Sequence, residues 1–412
     1  MIEVSIKDRP HPPLHNILLF FWTKIFGSSE VSARMLSVLA SLLFLIVFYR
    51  LALLLMPIGP ALFVLSICSL SPFFIYYGQQ ARPYSLTCLF AALSVYLLLK
   101  TQINPSTRNA VLYFLSCTAL IYTQYIGLLV ILPQLADVIF SKIPNKKKVL
   151  FYGCTGMLSI IFWIALCAMN GPIMKGVERV AWIEKPNFFA FVSLYISPFG
   201  FLPIKGSTRF LVGLIAVILG PIVIRYRSVD RKKVALFGVL ALFGPLLTFM
   251  VSYYGPVSVW APRQLIGVVI FFVCLIGVAL ALFRGWIRTL LGLALIAWCI
   301  FNVPNAFPEN MKPPWRHIAG LIAEKYRDQK IVVQEPWVGE PLSYYLNKDI
   351  HYLNNFKNVL VREGPFVFVC RSFASDSLNE IKSKYKILET ETINWGRHRE
   401  KTIYVYSIGN EK

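Results

Sequence analysis

Acidic residues are scarce in this sequence. Its 412 residues carry 20 Asp and Glu against 41 Lys and Arg, and charged residues of both signs make up only 15% of the chain. A soluble domain of this length needs more charge to cover its surface. The eight cysteines form no Cys-x-x-Cys pair, and no histidine is spaced to complete a zinc site with them. Seven lie in or near apolar runs, where cysteine behaves as a small core residue. Residues 1–13 are polar, so the reading expects no cleavable leader. No internal repeat or low-complexity stretch is evident.

Long apolar runs are what the chain has in place of charge. Hydrophobic residues make up 57% of it and the mean hydropathy is +0.61. Several runs approach or exceed the roughly 20 residues that cross a bilayer. The expected fold is an all-α polytopic membrane protein of about ten spanning helices, over 31–50, 59–76, 84–100, 109–122, 126–141, 149–169, 208–225, 234–252, 264–283 and 289–303. Leu14–Phe26, with Trp22 and Lys24, is short for a crossing and reads as an interfacial helix within an outer loop over 1–30. Residues 189–204 are interrupted by Ser197, Pro198, Gly200 and Pro203 and read as re-entrant.

The net charge of +21 is unevenly distributed. Residues 1–303 hold 25 Lys and Arg against 7 Asp and Glu, whereas 304–412 hold 16 against 13. Much of the basic excess sits in short loops: Lys142 with Lys146, Lys147 and Lys148; Arg225 to Lys233; and Arg284 with Arg288. Loops of that kind orient a protein with its basic side in the cytoplasm, which makes nucleic acid an unneeded partner. The three loops share one side only if 189–204 does not cross. The N-terminus, the loops near 78–83, 122–125, 171–188 and 254–264, and the tail then all lie outside. The chain therefore divides into a transmembrane domain over 1–303 and a small extracytoplasmic α/β domain over 304–412. In that tail Ile318, Leu321, Ile322 and Tyr326 mark an amphipathic helix, 331–334, 366–370 and 402–407 read as strands, and 342–346 and 378–385 read as helical.

Four outer segments carry the residues suited to chemistry. The first holds Asp8, His11 and His15; the second runs from Tyr76 through Gln79 and Arg82 to Tyr84; the third holds Lys175, Glu178, Arg179, Trp182 and Glu184; the fourth holds Trp260 and Arg263. Taken alone, each has a plain structural role. An arginine at a helix end reaches for lipid headgroups, and tyrosines with Trp260 form an interfacial aromatic belt.

The motifs in these segments resemble a family. Asp8-x-x-His11-Pro12-Pro13-Leu14 is similar to the first outer loop of the protein O-mannosyltransferases and their bacterial relatives, glycosyltransferases of the GT-C superfamily. In order, Phe26-Gly27-x-x-Glu30-x-x-x-Arg34-x-x-Ser37, Ser71-Pro72, Tyr77-x-Gln79-x-Ala81-Arg82-x-Tyr84, Tyr122-Thr123-x-Tyr125-x-Gly127, Pro262-Arg263-x-Leu265 and Trp315-Arg316 resemble further stretches of that family. The resemblance implies an enzyme of a prokaryotic inner membrane. It would move a hexose or pentose from a polyprenyl-phosphate donor to a lipid, glycan or protein acceptor, by direct inverting displacement. It implies Asp8 and His11 at the acceptor, Arg82 and Arg263 at the donor phosphate, and Gln79, Tyr84, Lys175 and Arg179 lining the donor or acceptor. No cofactor is implied with certainty. Some relatives use a divalent metal, but no ligand set stands out here. Relatives usually begin with a spanning helix followed by an acidic motif, whereas this chain begins inside that loop. The reading expects the helix and the base to lie upstream, or else a truncated, non-catalytic scaffold. A transporter or flippase would show broken inverted halves, which the sequence does not.

Overall fold

The computed structural model describes residues 12–141, 146–169, 183–200, 205–224, 230–307, 313–327, 329–333, 336–352, 365–371, 383, 385–395 and 401–411. The chain forms two compact units, Met1–Pro304 and Asn305–Lys412.

The first unit is helical. Its elements are α1 (Leu14–Phe26), α2 (Glu30–Leu53), α3 (Ile58–Leu70), α4 (Pro72–Gly78), α5 (Tyr84–Ile103), α6 (Thr107–Thr123), α7 (Leu128–Phe140), α8 (Lys146–Leu158), α9 (Ile160–Met169), α10 (Phe188–Ile196), α11 (Lys205–Ile224), α12 (Arg231–Tyr254), α13 (Ile266–Ala281) and α14 (Gly285–Asn302). Short polar side chains start many of them by accepting orphan backbone amides. Ser29 caps α2 through Ser32, Ser71 caps α4 through Phe74, Ser106 caps α6 through Asn109, Asn187 caps α10 through Ala190, and Asp230 caps α12 through Lys233. At the end of α1, Gly27 takes φ +84°, a left-handed value that favours glycine, and turns the chain into α2. The Trp22 indole donates to the Ser32 carbonyl at 2.8 Å and ties α1 back onto α2.

Among the described residues, five helices are long and apolar enough to cross a membrane: Glu30–Leu53, Tyr84–Ile103, Lys146–Met169, Arg231–Tyr254 and Gly285–Ala306. The pair α3 and α4 makes a sixth if counted as one span. The expected continuous helix over 59–76 is instead bent by 54° at Ser71, because Pro72 cannot donate to the preceding turn and the Ser71 hydroxyl opens a new one. The apolar stretches Leu14–Phe26, Tyr125–Phe140, Phe188–Phe199 and Ile266–Ala281 are shorter, 10–17 residues each, and Leu211–Ile222 is the described apolar part of the 20-residue α11. In the expected re-entrant segment, α10 ends in a 3-10 turn over Ser197–Phe199; residues 201–204 lie outside the described part.

Helix α13 is the centre of the first unit. It is apolar on every side and buried along almost its whole length, as an all-round hydrophobic helix must be. Two glycines let neighbours approach closely: a Cβ at Gly267 would meet Thr87 at 2.9 Å, and one at Gly277 would meet Met56 at 2.5 Å.

The second unit is a five-stranded sheet with two helices. Its elements are α15 (Trp315–Lys325), β1 (Lys330–Val333), α16 (Pro336–Leu346), β2 (His351–Tyr352), β3 (Phe366–Arg371), β4 (Tyr385–Trp395) and β5 (Lys401–Glu411). The order is β2-β1-β3-β5-β4. β1 runs parallel to β2 and β3, while β5 is antiparallel to β3 and β4. Alternation along the strands sorts the side chains. Ile331, Val333, Val367, Val369, Ile403 and Val405 pack with Ile318 and Ile322 of α15 and Leu342 of α16, while Val332, Phe368, Tyr406 and Ile408 form a second cluster. Of the expected helix over 378–385, Ser383 is helical and Tyr385 already begins the strand that pairs with β5, while 378–382 and 384 lie outside the described residues.

Candidate functional site

The residues singled out in the second and fourth segments come together at one end of the first unit. Helix α4 ends at Gly78, residues 79–83 turn the chain, and α5 begins at Tyr84. The turn is tight, with Gln79 N–H donating to the Ile75 carbonyl at 3.2 Å and Arg82 N–H to the Gln80 carbonyl at 2.7 Å. Across it the rings of Tyr77 and Tyr84 meet edge to face, 4.8 Å between centroids, an orientation that suits aromatic quadrupoles. Tyr76 packs on Tyr77 in the same way at 5.0 Å, and its hydroxyl interacts with the Gln80 side chain.

Arg263 reaches this cluster from the turn before α13, and its charge acts on the hydroxyls of Tyr76, Tyr77 and Tyr84. Arg82 acts on Tyr84 as well. The two arginines therefore share one tyrosine although they lie on separate loops. Arg82 is exposed and Arg263 is half-buried. Among the described residues no carboxylate pairs with Arg82. Two guanidinium groups around one tyrosine make a place for a group with several anionic oxygens, because each planar fork can hold two of them.

Helix α2 backs the turn. The Ser37 hydroxyl donates to the Arg82 carbonyl at 3.4 Å, and the hydroxyls of Ser41 and Ser85 lie 3.0 Å apart. A cavity of about 200 Å³ opens beside them, with Tyr77, Gln79, Ser41 and Ser85 in its wall. Gln79 thus sits between the tyrosines and the cavity, and Tyr84 is buried at the start of α5. Ser41, Ser85 and the cavity were missed in the sequence. The available signal was the pair Ser37 and Ser41, one turn apart in an otherwise apolar helix.

The other segments join less directly. Ser258 donates to the Glu184 carbonyl at 2.9 Å and Lys185 reaches the Tyr253 carbonyl at 3.5 Å, which fastens the end of the third segment to the loop that carries the fourth. The 122–125 turn is anchored by Trp163 donating to the Tyr125 hydroxyl at 3.1 Å and by the Tyr122 hydroxyl donating to the Ser159 carbonyl at 2.8 Å. Trp260 corrects the expectation of an interfacial belt: it is 5% exposed, stacked on Phe191 and edge-on to Phe249. His15 is buried at the start of α1. Asp8, His11, Lys175 and Arg179 lie outside the described residues. Among the described residues no three His, Cys, Asp or Glu side chains gather to hold a metal ion.

Residues 10–165 match the model of the dolichyl-phosphate-mannose-protein mannosyltransferase family. The structure is similar to ArnT from Cupriavidus metallidurans in the apo state, with a TM-score of 0.61 and 15% identity over 96% of this chain and 87% of that one. It is equally similar to the same protein bound to undecaprenyl phosphate, at a TM-score of 0.61 and 14% identity over 96% and 88%. The oligosaccharyltransferase of Archaeoglobus fulgidus follows at 0.51 and 9%, over 87% and 61%. A comparison of the sequence with curated proteins gives no match. The chain shares the fold of these proteins. It is an integral membrane protein, mainly helical, with a small C-terminal sheet. The family match spans α1 to α8 and reaches into α9, so it includes the Tyr77, Arg82 and Tyr84 turn but not Arg263. Arg263 joins the site by the packing of α13 against α5.

Proposed function

We propose that the chain is a glycosyltransferase that takes a sugar from a polyprenyl-phosphate donor and places it on an acceptor hydroxyl at the outer face of a prokaryotic inner membrane. What supports this reading is that the charges of Arg82 and Arg263 both act on Tyr84 from separate loops, near an apolar cavity, on a GT-C fold. A neighbour of the same fold bound to undecaprenyl phosphate supports the donor class.

The chemistry asks for two kinds of group. The acceptor oxygen attacks the anomeric carbon while the bond from that carbon to the phosphate oxygen breaks. The electron pair stays on the phosphate, and the acceptor proton passes to a carboxylate base. In this reading Arg82 and Arg263 hold the phosphate and stabilise the charge that builds there as it leaves. Tyr84 and Gln79 orient the donor, Asp8 with His11 serves the acceptor, and Lys175 with Arg179 lines the same loop side. The 304–412 domain lies on the outer face with the acceptor. The donor's tail remains in lipid while its sugar reaches water, which is why a boundary site suits it.

A single displacement inverts the anomeric centre, and no second carboxylate is assigned as a nucleophile. The test is the configuration of the product. A polyprenyl-phosphate sugar of one anomeric configuration is supplied to membranes carrying the chain, and the product is read by NMR. The opposite configuration is expected. Retention would overturn the direct displacement, and no transfer from any polyprenyl-phosphate sugar would overturn the reading itself.

A further inference from the structure

A second cavity, of about 290 Å³, lies at the end of the first unit opposite the arginine turn. Leu55 between α2 and α3, Lys233 and Phe237 at the start of α12, and Val278 and Leu282 at the end of α13 stand in its wall. Ser37, which meets Arg82, lies seventeen residues before Leu54, the cap of α2, so the two ends are roughly 25 Å apart. The apolar core of a bilayer is about 30 Å thick, which puts this cavity at the far membrane boundary. The loop that closes α2 is fixed on α13 there. Met56 is buried, and a Cβ at Gly277 would meet its sulfur at 2.5 Å.

The space equals roughly ten waters at about 30 Å³ each, yet an ordered water needs two to four polar partners. Among the described residues the charged part of this wall is one pair, Asp230 and Lys233, and the rest is apolar. Apolar matter therefore fills most of it better than water does. Lys233 supplies the polar end. Its ammonium donates to the Leu54 carbonyl at 3.1 Å and lies 3.4 Å from the Asp230 carboxylate. An ammonium has three donors, so one remains for a ligand. Asp230 is already used twice, on the backbone amide and on the ammonium of Lys233. Arg50 in the last turn of α2, Arg231 and Lys232 beside Lys233, and Arg284 just past Leu282 are exposed at the same end. An apolar hollow thus opens among cations.

We infer that this hollow seats an anionic phospholipid of the leaflet opposite the arginine turn, with an acyl chain along Phe237 and Val278 and its phosphate at Lys233. Apolar walls with a cation at the rim match a ligand that joins a long apolar chain to an anionic head. Basic pockets between helices hold anionic headgroups for the same reason. In the orientation that the basic loops imply, this is the cytoplasmic leaflet, whose lipids carry negative charge. The inference stands apart from the donor reading. It gives the lipid a hold on α13, the helix that Arg263 precedes at its other end.

The experiment is photolabelling of the full chain in phosphatidylcholine nanodiscs. Two probes carry the same diazirine on one acyl chain, one a phosphatidylglycerol and the other a phosphatidylcholine, and labelled peptides are mapped by mass spectrometry. The phosphatidylglycerol probe should label 55–57 and 275–282 about tenfold more than its partner, one decade in affinity, and excess unlabelled phosphatidylglycerol should remove that label. Lys233→Gln keeps a donor for the Leu54 carbonyl and should erase the tenfold preference, while Lys233→Arg should keep it. Leu55→Trp, at a half-buried loop position, should cut the label about tenfold by filling the hollow. Equal labelling by both probes, or an unchanged preference in Lys233→Gln, would overturn the anionic seat. Displacement by inorganic phosphate, or by undecaprenyl phosphate more readily than by phosphatidylglycerol, would overturn the phospholipid as its occupant. Label absent from 55–57 and 275–282 would remove the hollow as a lipid seat.

Discussion

Tyr77 and Tyr84 meet edge to face with their ring centroids 4.8 Å apart, and the contact closes the 79–83 turn that presents Arg82. Arg263 acts on both hydroxyls from another loop. The pair is the frame on which two cations are held together, and its consequences can be measured.

Replacing either arginine by lysine keeps the charge but removes the planar fork. A charge-assisted contact to an anion contributes about 1.5–3 kcal/mol, so Arg82→Ala and Arg263→Ala should each weaken donor use by roughly 10- to 100-fold. The lysine variants should recover only part of that loss. Donor titrations in membranes check this, and full recovery by lysine would remove the argument for bidentate holding.

The closeness of α4 to α2 makes Gly78 sensitive. A methyl there would press on the Ser41 hydroxyl, which already meets Ser85 and the Ser37 carbonyl. Gly78→Ala should destabilise the protein by about 1–3 kcal/mol, the usual cost of overpacking. Adding Ser41→Ala should return much of it, since the Ser41 Cβ is 3.7 Å from the new atom. Thermal unfolding of the single and double variants in detergent decides the point.

Thr87 faces Gln124 between α5 and α6, its hydroxyl 3.0 Å from the Gln124 Oε1, and both residues are buried. Thr87→Val keeps the shape and removes the donor. A cost of about 1 kcal/mol is expected, in the range of interhelical hydrogen bonds within membranes. Comparison with Gln124→Leu in the Thr87→Val background should show a cost smaller than the sum of the two.

The second unit carries a pH dependence of its own. Glu389 on β4 accepts a hydrogen bond from the Tyr326 hydroxyl at 2.6 Å and lies beside Lys325. The tyrosine bond first, and the lysine charge after it, hold the Glu389 carboxyl below its usual range. A carboxyl whose folded value is depressed adds stability above its unfolded value and loses that stability as pH falls through the folded one. Protection of β4 and β5 from hydrogen exchange should therefore weaken on acidification below about pH 4, the range of a free glutamate. In Glu389→Gln that weakening should shrink.

Much of the frame was legible in residues that act locally. Ser71 and Pro72 carried the signal of a helix restart, a capping hydroxyl beside a missing amide, although the expected span over 59–76 ran through them. Arg82 and Arg263 stood out as charges at the ends of apolar runs. That they share Tyr84 was not legible, since α13 packs against α5 through Gly267, a contact made in three dimensions. Trp260 looked like a belt residue because composition does not show that Phe191 and Phe249 cover it. The strand β4 was hidden by Glu389, Thr390, Glu391 and Thr392, a polar run whose strand character comes from pairing with β5 at the sheet's edge.

The most direct measurement is release of radiolabelled sugar from a polyprenyl-phosphate donor, in membranes carrying the chain, its Arg82→Ala form or its Arg263→Ala form. The account predicts that label leaves the lipid in the parent chain and that either substitution slows the release by at least about tenfold. Equal release from all three would contradict the placement of the phosphate between the two arginines.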